Sequence, residues 1–279
     1  MVKTIWLQGI TCNGNTHSFL HYEQLSSFIK QIEFLYHPLL PSKLSIEDLC
    51  YFEDNFDLLI VEGAYGNINR GRCSFIEIFN RLKNRAKHII AVGSCAVYGG
   101  ILGERGINFA KDRQIDSLNI INIPGCPAHP EWISFAINII QKGESIRIDN
   151  FQRPKEIYAY TVHSGCIRNE YFEWKIDAKS FGTKEGCLFY EQGCQAPFTH
   201  GSCNKILWNG VSSKTRIGTP CFGCTEPSFP TNNLFKTKTH MGIPAKMPLG
   251  VPKRAYLTLT GIAKSFYIPR LNKRIFNED

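Results

Sequence analysis

Apolar residues follow two regular rhythms in the first half of this chain and lose both in the second. Residues 3–9 (KTIWLQG), 57–62 (DLLIVE), 88–93 (HIIAVG) and 120–123 (IINI) are short apolar runs, the pattern of strands covered on both faces. Between them, residues 16–31 place Phe19, Leu20, Leu25, Phe28 and Ile29 at helical spacing. Residues 74–86 (SFIEIFNRLKNRA) repeat that spacing behind a serine suited to a helix start. Residues 130–142 (PEWISFAINIIQK) read as a helix opened by proline and closed by Gly143. Strands separated by helices predict a parallel sheet with right-handed crossovers. The first domain is therefore expected to be a flavodoxin-like α/β fold over residues 1–150.

Residues 155–162 (KEIYAYTV) read as one more strand, and beyond them the periodicity fades. Gly, Pro, Asn, Thr and Cys become frequent, so a second domain, residues 151–279, is expected to be largely irregular. Irregular chain of that length is unusual inside a compact domain unless something other than a hydrogen-bond ladder organises it. A bound inorganic cluster would do so.

Composition sharpens this picture. Eleven cysteines in 279 residues is about 4%, yet 43% hydrophobic residues can fill a core without disulfides. An odd number of cysteines also cannot pair completely within one chain. The first residues, MVKTIWLQGITCNGN, show no export signal, and no apolar run is long enough to cross a bilayer. A reduced, cytoplasmic globular protein is the expectation, with its thiols assigned to metal. The net charge of +8 comes from 32 basic and 24 acidic residues without a long basic run. The most basic stretch, residues 236–274, reads as a solvated or protein-docking face rather than a nucleic-acid surface.

The cysteines fall where metal ligands would. Cys12, Cys95 and Cys126 each follow a strand, and in an open parallel sheet those turns gather at the carboxyl edge. Glycines accompany them (Gly9, Gly14, Gly93, Gly99, Gly100 and Gly125) and allow backbone to approach a bulky inorganic group. In the second half, His163-x-x-Cys166 is followed by Cys187, Cys194, Cys203 and the pair Cys221-x-x-Cys224. Tetrahedral zinc could use such ligands, but zinc ribbons usually rest on paired C-x-x-C knuckles and here there is one. Iron–sulfur clusters accept thiolates from dispersed loops and sometimes a histidine, so they are the favoured reading.

The segments WLQGITCNGN, DLLIVEGAYG, VGSCAVYGG, IPGCPAHP, VHSGCIRNEYFE, GCLFYEQGCQAP, GSCNKI and PCFGCTEPSFP resemble, in order, the small, electron-transferring subunit of [NiFe] hydrogenases. The resemblance covers roughly residues 3–260. It implies three clusters: a proximal one on Cys12, Cys95 and Cys126, a medial [3Fe–4S] on Cys203, Cys221 and Cys224, and a distal [4Fe–4S] on His163, Cys166, Cys187 and Cys194. It also implies a large-subunit partner holding the nickel–iron centre, and an external redox partner docking near His163. Cys50 and Cys73 are left over and read as structural thiols.

The sequence departs from the family pattern at the fourth proximal cysteine, where Asn15 stands. A neutral amide is a poor iron ligand, so a [3Fe–4S] cluster, or a [4Fe–4S] cluster completed by water, Asn15 or another group, is expected there. Lys214 occupies the position where some relatives place a further medial ligand. The two additional cysteines of one oxygen-tolerant branch are replaced by Gly14 and Gly100. Glu62 reads as a structural carboxylate before a proton-handling one. A hydrogen sensor is the leading alternative, disfavoured because sensors typically carry a C-terminal extension. A complex I cluster protein would share only the first domain, and a structural zinc protein is the non-redox alternative.

Overall fold

The computed structural model describes residues 1–107 and 120–230, with the backbone of two further short strands, Thr239–His240 and Ile243–Pro244. Most of the basic stretch at 236–274 lies outside the described residues. Two compact units are present, one of Met1–Ala159 with Cys224–Phe229 and one containing Tyr160–Gly223.

The first unit runs β1 (Val2–Gln8), α1 (Gly14–Leu20), α2 (Leu25–Phe28), β2 (Ile32–Tyr36) and β3 (Phe56–Glu62). A small hairpin, β4 (Asn69–Arg70) and β5 (Cys73–Ser74), leads into α3 (Phe75–Leu82), then β6 (Ala86–Val92), α4 (Ser94–Tyr98), β7 (Ile120–Ile123) and α5 (Pro130–Lys142). The central sheet is parallel throughout, in the order β2-β1-β3-β6-β7. Counting parallel strands alone this is 2-1-3-4-5, the flavodoxin-like order expected. α3 starts as its serine predicted, with a capping box between Ser74 and Glu77. α5 has proline in its first turn and ends on Gly143 at φ 64°.

Three local readings are corrected. The apolar spacing over 16–31 is divided between α1 and α2, because His21 closes α1 with backbone and ring N–H groups donated to the His17 carbonyl. The strand β2 begins directly after that pattern and was not read from the sequence; pairing of Ile32 with Val2 in the sheet defines it. Residues 155–162 are not a strand. Pro154 sets a helical turn instead, α6 (Lys155–Tyr158), which buries Ile157 and Tyr158.

Residues 224–229 join the first unit through Arg153, which is 2% exposed. Its guanidinium donates to the Thr225 carbonyl at 3.0 Å, pairs with Glu226 at 3.3 Å and with Asp149 at 2.7 Å. Such a buried cation is tolerable because each face meets an acceptor. Among its described residues the second unit has little regular structure beyond α7 (Asn169–Glu173), and its core mixes Val162, Tyr171, Phe172, Leu188 and Phe189 with Cys187, Cys194 and Cys221.

The carboxyl end of β3 determines the loop after β1. Glu62 is completely buried and accepts from Trp6 Nε1 at 3.1 Å, Gln8 Nε2 at 3.3 Å, Thr11 Oγ1 at 3.2 Å, Asn15 N at 2.9 Å and Thr16 N at 3.2 Å. The Thr16 hydroxyl donates to it as well. On the other side of β1, just past β2, His37 is held among Trp6, Phe19 and Phe34, with Nδ1 accepting from Leu39 N at 3.1 Å and Leu40 N at 3.0 Å. Burial pushes its imidazole down to about 4.

Glu62→Gln keeps the shape but turns an acceptor oxygen into a donor facing other donors. It is expected to cost about 2–4 kcal/mol in urea denaturation and to speed amide exchange at Asn15 and Thr16. Unchanged exchange there would show that another group holds the loop. His37 gives a pH signature. Its folded form is neutral, so this contribution is complete above about pH 6.5 and lost as pH falls toward 4, amounting to about 3 kcal/mol. His37→Asn should flatten that slope in pH-resolved denaturation, and an identical slope would remove His37 as its source.

Candidate metal-cluster sites

At the carboxyl edge of the sheet, three turns are tied to one another. Ser94 N donates to Gly125 O at 2.9 Å, and Gly125 N donates back to Ser94 Oγ at 3.0 Å. Ala128 N donates to Asn15 Oδ1 at 2.8 Å, and Ser18 Oγ donates to Ala128 O. The first bonds link the Cys95 turn to the Cys126 turn, and the second pair link the Cys126 turn to the helix behind Cys12. Ser94 Oγ also donates to the carbonyl of Cys224, within the same unit.

The thiols in these turns are left uncovered by glycines. A Cβ on Gly14 would stand 3.3 Å from Cys12 Sγ, and one on Gly100 3.0 Å from Cys95 Sγ. Cys12 is exposed, while Cys95 and Cys126 are half-buried. Burial, and next the neighbouring Cys12, push the Cys95 thiol up, while backbone N–H groups of Ile101 and Leu102 favour its thiolate. Amide donors aimed at a sulfur are what a bound thiolate requires. Asn15 sits under Gly93, with its side-chain oxygen engaged by Ala128 N.

In the second unit, His163, Cys166, Cys187 and Cys194 all line one small cavity. Its remaining walls include Arg168, Phe189 and Pro197. Burial lowers His163 to about 4, so its imidazole is neutral and has a ring nitrogen free to bind a metal. Its ring meets Phe172 edge-on at 4.4 Å. Burial pushes the Cys187 thiol up to about 12, and it also pushes the Cys194 thiol well up. Cys187 Sγ accepts from Phe189 N at 3.4 Å, and Cys194 Sγ accepts from Cys221 N at 3.2 Å. These thiols are protonated when no metal is bound and become thiolates when iron displaces their protons.

Arg168 was not singled out from the sequence, and it is the strongest electrostatic feature here. It is 2% exposed, and its guanidinium donates to backbone carbonyls only: Thr215 at 2.7 Å, Gly186 at 2.7 Å, Glu185 at 3.3 Å, and Thr183. Desolvation pulls its pKa down, against the pull of Cys166 and Cys187 thiolates. A buried cation without a carboxylate is suited to an anionic occupant of the adjoining cavity. Its position two residues after Cys166 was the available signal.

The donor chemistry of both sites fits an iron–sulfur cluster. Among the described residues no three His, Cys, Asp or Glu side chains converge on a single metal ion. The second-unit donors instead surround a volume. Of the third set, Cys203 and Cys221 belong to the second unit and Cys224 to the first. Lys214 Nζ rests on the Phe222 ring at 4.6 Å.

Comparison with known proteins agrees with this geometry. Residues 158–236 match the family described as the C-terminal part of the NiFe/NiFeSe hydrogenase small subunit, and residues 12–140 match NADH ubiquinone oxidoreductase, 20 Kd subunit. The F420 non-reducing hydrogenase II small subunit of Methanosarcina mazei is 31% identical, over 82% of this chain and 73% of its own. The periplasmic [NiFe] hydrogenase small subunit of Solidesulfovibrio fructosivorans is 34% identical, over 61% of this chain and 58% of its own. The structure of the Desulfomicrobium baculatum [NiFeSe] hydrogenase superposes with a TM-score of 0.74 at 25% identity, covering 85% of this chain and 99% of that one. The chain belongs to the small-subunit family of NiFe hydrogenases, oxidoreductases that act on H2 as heterodimers with a large subunit.

Proposed function

We propose that this chain carries electrons between the H2-handling large subunit and an external redox partner, using three iron–sulfur clusters. The observation that supports this most directly is the cavity where His163, Cys166, Cys187 and Cys194 meet beside the buried Arg168. When bound, such clusters supply one-electron transfer. Everything else is the work of the protein.

Cys12, Cys95 and Cys126 hold the first cluster, in turns locked by Glu62, Ser94 and Asn15. With the Asn15 oxygen occupied by Ala128 N, we read Asn15 as a loop tie. The first cluster is then a [3Fe–4S], or a [4Fe–4S] whose last iron takes a non-protein ligand. Cys203, Cys221 and Cys224 hold a [3Fe–4S] cluster, and Lys214, resting on Phe222, supplies charge rather than a ligand. His163, Cys166, Cys187 and Cys194 hold a [4Fe–4S] cluster, where the acceptor or donor protein docks. Arg168 and the amide donors to Cys187 and Cys194 hold negative charge there and raise its potential. The match at residues 12–140 to a respiratory-complex subunit reflects the shared first unit, and the second ligand set favours the hydrogenase reading.

Purified with its large subunit, the protein is expected to contain about ten to twelve irons beyond the nickel site, with acid-labile sulfide; about four would refute three clusters, and zinc without sulfide would refute all of them. Arg168→Met should lower the potential of the His163 cluster in a redox-titrated paramagnetic resonance spectrum, with Arg168→Lys restoring part of it. An unchanged titration in both variants would remove Arg168 from the electrostatics of that site.

A further inference from the structure

The two cysteines outside every ligand set are neighbours. Cys50 closes the short helical turn Asp48–Cys50 and is 2% exposed in the core of the first unit. Cys73 opens β5, is half-buried, and packs on the same core. Both belong to one core cluster, and Cys73 is the group whose charge acts most on the Cys50 thiol. Both are free thiols.

Their meeting is built into the fold. Glu47, next to the turn, accepts from Arg72 N at 3.1 Å, in the tip of the β4–β5 hairpin. Gly71 in that tip has φ +68°, and a Cβ there would stand 2.5 Å from a Glu47 carboxylate oxygen. Asp48 fixes the turn by accepting from Ser45 N and Ser45 Oγ, each at 2.8 Å. The hairpin is thereby docked on the turn, and Cys73 is delivered to Cys50. Nothing in the sequence hints at this, since the two lie far apart and match no redox spacing.

We propose that Cys50 and Cys73 form a redox site independent of the clusters, a dithiol that closes reversibly to a disulfide by exchange with a low-molecular-weight disulfide. The more accessible Cys73 attacks as thiolate, breaking the S–S bond of the small disulfide and releasing one small thiolate. Cys50 then gives its proton to solvent and attacks the Cys73 sulfur of the mixed disulfide, releasing the second. Two protein thiols lose two electrons and two protons, and the small disulfide gains them as two thiols. Burial, and then the neighbouring Cys73 thiol, push the Cys50 thiol up to about 11, which makes closure the slower step.

The consequence reaches the first cluster loop. Arg70 pairs with Cys73 across the hairpin and donates to the carbonyls of Gln8 at 2.8 Å and Gly9. These residues lead directly into the Cys12 loop. Closing the disulfide fixes the hairpin that holds them.

The test uses the heterodimer with the large subunit, purified without oxygen, treated with oxidised glutathione, alkylated and digested for mass spectrometry. The expected product is a Cys50–Cys73 linked peptide that dithiothreitol removes. Cys73→Ser should abolish it, and Cys50→Ala should leave a persistent glutathione adduct on Cys73. A wild-type protein that stops at the Cys73 adduct, or in which neither cysteine reacts, would overturn the proposal.

Discussion

A carboxylate at the buried end of a strand needs donors from whatever chain surrounds it, and Glu62 takes them from the segment that carries the first cysteine. Trp6 and Gln8 bind it from β1, and Thr11, Asn15 and Thr16 bind it from the loop and helix beyond. Trp6, Asn15 and Thr16 are buried, and their donors to Glu62 hold the loop in one conformation. Cys12 lies inside the loop so defined. Its exposure contrasts with the rigidity beneath it: the thiol reaches outward while the backbone on both sides of it is tied down. Asn15 extends the same constraint to the Cys126 turn, and Ser94 extends it to the Cys95 turn and the Cys224 backbone.

The second unit solves the opposite problem. Its described residues have little sheet or helix to satisfy their backbone, and its small core contains thiols. Burial pushes the Cys187 thiol to about 12 and Cys194 upward, so without metal the sulfurs and His163 are neutral beside the buried Arg168 cation. Arg168 is tolerated because four carbonyls receive it, and those carbonyls come from chain at residues 183–186 and 215. One side chain therefore organises loops that have no ladder. Under the proposed assignment, an anionic cluster would add the charge that the carbonyl dipoles only approximate, coupling metal binding to the folding of this unit.

The sequence carried most of the first unit because its signals are local. Apolar runs, the Ser74–Glu77 cap and the proline of α5 each act within a few residues, and they mark β3, α3, β6 and α5 where they occur. The strand β2 escaped because its pairing with β1 is non-local and its apolar spacing continues that of a helix. Residues 155–162 misled for the reverse reason: aromatic and branched residues favour a strand, but Pro154 and the burial of Tyr158 favour a turn. The thiols were legible by position and motif. Glu62 and Arg168 were harder, since their partners lie more than a dozen residues away, and only the nearness of Arg168 to Cys166 marked it.

Under the proposed assignment, the first and second ligand sets each supply three thiolates, and they differ in the fourth donor and in surroundings. Ligand count alone therefore does little to separate their potentials. The His163 set has a neutral imidazole, two cysteine sulfurs receiving amide donors and a buried guanidinium beside the cavity. The Cys12 set has amide donors at Cys95, an exposed Cys12, and the Glu62 carboxylate behind its loop. A cation near one cluster and an anion near the other both make the His163 cluster the easier to reduce. The bias comes from two residues outside the ligand sets, one fixing a loop and the other filling a core. In each case the group that stabilises the fold around the thiols is also the charge that tunes them.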